Sequence, residues 1–100
     1  EAGCPIVAAI LGRSEAPAAA QAAAEAVDDW RIILADRLVS SGVDTDNANS
    51  LATLAVAAIE GAVIMALASG STDALDAVGR HLIEVIQLHF PARGAPTRTR

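Results

Sequence analysis

Few side chains in this 100-residue chain could do chemistry, and Glu60 has the most unusual setting. With Gly61 it interrupts an otherwise almost wholly apolar run from Leu51 to Ala68. A carboxylate in apolar surroundings needs a partner, and two kinds are open to it. It can face a pocket and recognise a cationic or hydrogen-bonding ligand. It can instead pair within the fold with Arg31, Arg80, His81 or a hydroxyl, including across a dimer. Structural pairing is the favoured reading, since buried carboxylates are commonly held that way.

The other candidates are weaker. His81 and His89 stand eight residues apart, too far along one helix to ligate a metal from adjacent turns. No Cys, His or acidic cluster with zinc spacing accompanies them, so hydrogen bonding in a core or interface is expected. Cys4 is the only cysteine, which leaves no intrachain disulfide and no resolving thiol, and makes a reducing cytoplasm the simplest location. Asp44-Thr45-Asp46-Asn47 resembles the opening of a calcium loop but lacks the glycine and distal glutamate at the required offsets. Helix capping explains it. No nucleophile and base stand together, so no catalytic residue, metal site or cofactor is expected, and the chain does not read as an enzyme.

Composition narrows the class further. Hydrophobic residues make up 53% of the chain, but 24 residues are alanine, which offers helix propensity and close backbone approach rather than a large core. The net charge of -5 and the two aromatic residues, Trp30 and Phe90, argue against a nucleic-acid surface on this piece. All seven basic residues are arginine, and Arg93, Arg98 and Arg100 sit in a tail with no apolar period. Arginine without lysine, beside so much alanine, fits a GC-rich bacterial genome. The chain opens at Glu1 with no signal-like segment and reads as a fragment of something longer.

Four helical segments are legible in the period and punctuation. The first is short, Pro5 to Leu11. The second runs from Glu15 or Pro17 to Ser41, with Ser14 as a candidate cap and Gly42 as its left-handed end. Its apolar stripe is Ala20, Ala23, Val27, Trp30, Leu34 and Leu38. The third runs from Thr45 to Ser69 between an Asp44 cap and Gly70. The fourth runs from Asp73 to about Phe90, capped by Ser71 or Thr72 and ended by Pro91, with Leu75, Val78, Leu82, Val85 or Ile86, and His89 on its apolar face. The remainder, 91–100, is expected to be a mobile tail.

The third segment sets the larger problem. Wrapped as a helix it is apolar on nearly every side, and such a helix must be covered all round by lipid or protein. Its length would span a bilayer. A central carboxylate costs ~2.5–3.5 kcal/mol on insertion scales, and no flanking Lys or Arg sets a topology, so no membrane partner is expected. Cover by a second copy is the better solution. Thr53, Ala57, Gly61, Ile64 and Ala68 form a row of small residues suited to a tight helix crossing at a two-fold axis, with packing inside one subunit as the alternative.

Gly3-Cys4-Pro5-Ile6-Val7-Ala8, opening a short helix, resembles the start of the ligand-binding half of LmrA/YxaF-like regulators, a branch of the TetR-family transcriptional repressors. Asp29-Trp30-Arg31 in a long helix, the Gly42-Val43 turn, Leu51-Ala52-Thr53-Leu54, Ala58-Ile59-Glu60-Gly61-Ala62 and Ser71-Thr72-Asp73-Ala74-Leu75 agree in order and spacing. The resemblance covers residues 3 to 90. It implies an all-α domain, an antiparallel bundle of about four helices whose last two form a four-helix bundle with those of a second subunit. The implied partners are a homodimer mate, a small-molecule effector of unknown identity, and operator DNA reached only through a helix-turn-helix head absent from this sequence. The pocket wall then takes Ile6, Val27, Trp30, Leu34 and Ala58. The seam takes Thr53, Ala57, Glu60, Gly61, Ile64 and Ala68, with Val78, His81, Leu82 and Val85 from the last helix. Ligand binding would tilt the heads out of register with the operator. A stand-alone dimerisation module without a ligand is the alternative.

Overall fold

The computed structural model describes residues 16–92. Among these residues there are three helices and no strand: α1 (Pro17–Ser40), α2 (Thr45–Ser69) and α3 (Asp73–Gln87). The fold class is therefore all-α. The expected short helix from Pro5 to Leu11, the Ser14 cap, Ile6 and the tail beyond residue 92 lie outside the described residues.

Local chemistry sets each helix boundary. Pro17 occupies the first turn of α1, where its missing N–H costs nothing. Gly42, at φ 103°, ends α1, and the Val43 N–H donates back to the Leu38 carbonyl at 3.0 Å. Asp44 caps α2: its carboxylate accepts from the Asn47 backbone N–H at 2.9 Å and from the Asn47 side-chain amide at 2.8 Å. Gly70 closes α2 in the left-handed conformation, and the Gly70 and Ser71 N–H groups both donate to the Ala66 carbonyl. At α3 the two expected caps divide the work. Thr72 holds the cap position without a side-chain bond, while the Ser71 hydroxyl accepts from the Asp73 N–H at 3.1 Å.

α3 ends at Gln87, three residues before the expected Phe90. The residue before a proline is disfavoured in the helical region, and residues Leu88 to Phe90 tighten into turns instead. Pro91 then seats on the first turn: a Cβ added to Gly42 would lie 2.6 Å from Pro91 Cγ. Gly42 is thus needed both for its backbone conformation and for this close approach.

α1 packs on α2 and α2 on α3, so α2 is the middle helix. With only residues 41–44 between them, the two packed helices α1 and α2 run antiparallel. Leu38, Val43, Ala48 and Leu51 form the core cluster, with Leu34 and Ile86 packed against it. Between Val85 and Ile86, then, Ile86 faces the core. Of the ten buried hydrophobic residues seven are alanine, and no large side chain is fully buried. The thinnest dimension of the molecule is 13 Å, close to the diameter of one helix with its side chains. The described fold is a single layer.

Candidate functional site

α1 and α2 enclose a groove of about 210 Å³ between them, lined by Trp30, Leu34, Ala55, Val56, Ile59 and Glu60. The α2 residues come as two pairs one turn apart, 55 with 59 and 56 with 60, as the helical period requires. Trp30 is 46% exposed and lies along the groove rather than anchoring α1 in the core. Trp30 and Leu34 thus lie on the same groove. Val27 and Ala58 are half-buried and do not line the groove. Ala55, Val56 and Ile59 do, and sequence reasoning passed over them. Their signal was available in the antiparallel packing of two long helices joined by a short turn, which sets the first half of α2 against the second half of α1.

Among the described residues Glu60 supplies the only charged side chain on that wall. Its Oε1 is closed off from solvent and has no hydrogen-bond partner among the described residues. Two of the expected partners on the same chain are engaged elsewhere. Arg31 donates through Nε and a terminal nitrogen to Asp28 at 3.1 and 2.8 Å. His81 Nδ1 lies 2.9 Å from Glu84 Oε1. An acceptor buried without a bond costs about 1–3 kcal/mol, so the groove carries an unmet demand for a donor. Among the described residues of one chain, Glu60 Oε1 is left without a partner inside the fold.

The opposite side of α2 is a surface of another kind. Thr53, Ala57, Gly61, Ile64 and Ala68 are all exposed, and a Cβ added to Gly61 would meet nothing within 4 Å. The row does not pack inside the subunit. Thr53 Oγ1 donates to the Asn49 carbonyl at 3.1 Å, so its methyl group is left for the surface. Leu54, Met65 and Leu67 are also exposed on α2, as are Ile83, Val85 and Leu88 on α3 or just past its end. Val78 and Leu82 are half-buried, while His81 is exposed. By length and composition alone α2 could cross a membrane, which restates the same excess of uncovered apolar surface.

A second groove of about 370 Å³ lies where α2 turns into α3, between Val63, Leu67 and Leu75. Among the described residues no group of three or more His, Cys, Asp or Glu side chains could hold a metal ion. Asp44 is held below the ordinary carboxylate range, first by the Asn47 backbone N–H and then by the Asn47 amide. That perturbation belongs to the cap and not to a reactive site.

Two relatives in Mycobacterium tuberculosis, both named uncharacterized HTH-type transcriptional regulators (MT0206 of strain CDC 1551 / Oshkosh and Rv0196 of strain ATCC 25618 / H37Rv), are 34% identical over 99 residues. The match takes in 92% of this chain and 50% of each relative, so the chain spans about half the length of the proteins it resembles. No solved structure matches significantly. Residues 1–81 match the C-terminal domain of LmrA/YxaF-like transcriptional regulators, and the chain belongs to that TetR-type family.

Proposed function

We propose that this chain is the effector-binding and dimerisation half of a one-component repressor whose DNA-reading head precedes it in the intact protein. The observation that carries the proposal is the uncovered face of α2, where a row of mostly small residues lies exposed while seven of the ten buried hydrophobic residues among those described are alanine. The seam uses Thr53, Ala57, Gly61, Ile64 and Ala68, flanked by Val78, His81, Leu82 and Val85. The α1–α2 groove, with Trp30 and Leu34, forms one wall of the effector pocket, and Val27 and Ala58 belong to its surroundings. Glu60 turns toward the groove rather than the seam.

The mechanism is a population shift. A ligand seated against α1 and α2 changes the angle at which each subunit presents its head, while the seam fixes the distance between the two heads. The operator is then released, and repression is relieved. The site of action is the cytoplasm, and no membrane or cofactor takes part. Sedimentation of the chain at micromolar concentration tests the seam: we expect a dimer, and Gly61→Leu is expected to dissociate or unfold it. A stable wild-type monomer rules the proposal out.

A further inference from the structure

We propose that the effector is an organic cation, with a protonated amine bound by Glu60 and an apolar body laid along Trp30. The inference rests on the α1–α2 groove being the effector pocket and specifies what that pocket selects. Every other residue on the wall (Leu34, Ala55, Val56 and Ile59 beside Trp30) is apolar. A neutral hydrocarbon would satisfy those residues and leave Glu60 Oε1 as it stands, shielded and without a donor. An anion would be repelled by the same carboxylate. A cation carrying an N–H meets both demands, because it donates to the carboxylate and its charge is attracted to the indole face.

Two of the chain's own cations are engaged elsewhere. Arg31, next to Trp30 in sequence, is bound to Asp28, and His81 is bound to Glu84. The groove volume, about 210 Å³, lies below the roughly 300–1,000 Å³ of a drug-sized pocket. It therefore receives the head group and the first part of the apolar body, and the rest of the ligand extends beyond it.

Trp30 is the only tryptophan in the chain, so its emission reports on this groove directly. Three probes with one apolar body test the inference: 3-phenylpropylamine, 3-phenylpropan-1-ol and 3-phenylpropanoate. The amine is expected to bind about tenfold or more tighter than the alcohol, the scale of one charge-assisted hydrogen bond, with the carboxylate weakest. Glu60→Gln is expected to bring the amine down to the level of the alcohol and leave the alcohol unchanged. Equal binding of amine and alcohol to the wild type overturns the cation inference and leaves the pocket standing, and this comparison needs no variant. An amine preference that survives Glu60→Gln overturns the role of Glu60. If none of the three probes alters Trp30 emission, the pocket fails along with the inference built on it.

Discussion

Asp44 and Glu60 are both acidic residues of the middle helix region, and they divide sharply in how much of their role the sequence discloses. Asp44 was legible because capping is local: an acidic residue before a helical period finds its donors three residues on, and it does so here. Glu60 was legible as an anomaly but not in its direction. Successive helical residues turn by about 100°, so one position separates Glu60, on the groove, from Gly61, on the uncovered face. Sequence alone does not give the rotation of α2 against α1, and that rotation decides the role. The Asp44 cap can be tested by pH. Its folded carboxyl is held below the ordinary value of 3.8, so the ionised form is the one the fold prefers. The stability it contributes is fully present above that ordinary value and is lost as pH falls through the lowered one. Asp44→Ala is expected to melt earlier than wild type at neutral pH, with the difference shrinking as pH falls below the ordinary carboxylate value. Asp44→Asn keeps an accepting oxygen and is expected to lie between them without that pH dependence. A difference between wild type and Asp44→Ala that is the same across this range would mean the cap bond is not formed.

At the scale of the elements, α2 does three things at once. One face closes the core with Ala48, Leu51, Ala52 and Ala55, a second lines the groove, and a third is left bare. The sequence announced the need for cover on every side through its unbroken hydrophobicity, and its helix limits through Asp44 and Gly70. It could not say which third of the circumference each neighbour takes, because an alanine-rich helix carries little shape to choose a partner by. Two glycines separate a bare face from a seam. A methyl group added at Gly61 or at Gly79 would meet no atom within 4 Å. Within one chain, alanine at either site therefore gains about 0.8–1 kcal/mol of helix propensity. Gly79→Ala is expected to raise the melting midpoint accordingly. Gly61→Ala is expected to do the opposite and weaken the dimer, because the added methyl meets the partner backbone at the crossing. Calorimetry beside sedimentation decides this, and a Gly61→Ala chain as stabilised as Gly79→Ala removes Gly61 from the seam.

The whole molecule is a layer one helix thick, and its stability follows from that shape. Ten buried hydrophobic residues, seven of them alanine, remove little area from water. Thirteen large hydrophobic residues remain exposed among the described ones, with Leu88 at 81%. In the proposed dimer, a second layer supplied by another copy covers the bare face of α2 and converts that exposed surface into core. Folding and association then become one equilibrium, as in obligate dimers whose monomers do not persist alone. The melting midpoint must in that case rise with protein concentration. Two 100-residue chains unfolding together absorb about 140 kcal/mol near 60 °C, at ~0.7 kcal/mol per residue. The van't Hoff relation then shifts the midpoint by about 4 °C for each tenfold change in concentration. A dilution series followed by circular dichroism reads this shift without any variant or ligand. A midpoint independent of concentration, with a monomer in sedimentation, would show that one layer suffices and that the bare face of α2 serves some other partner.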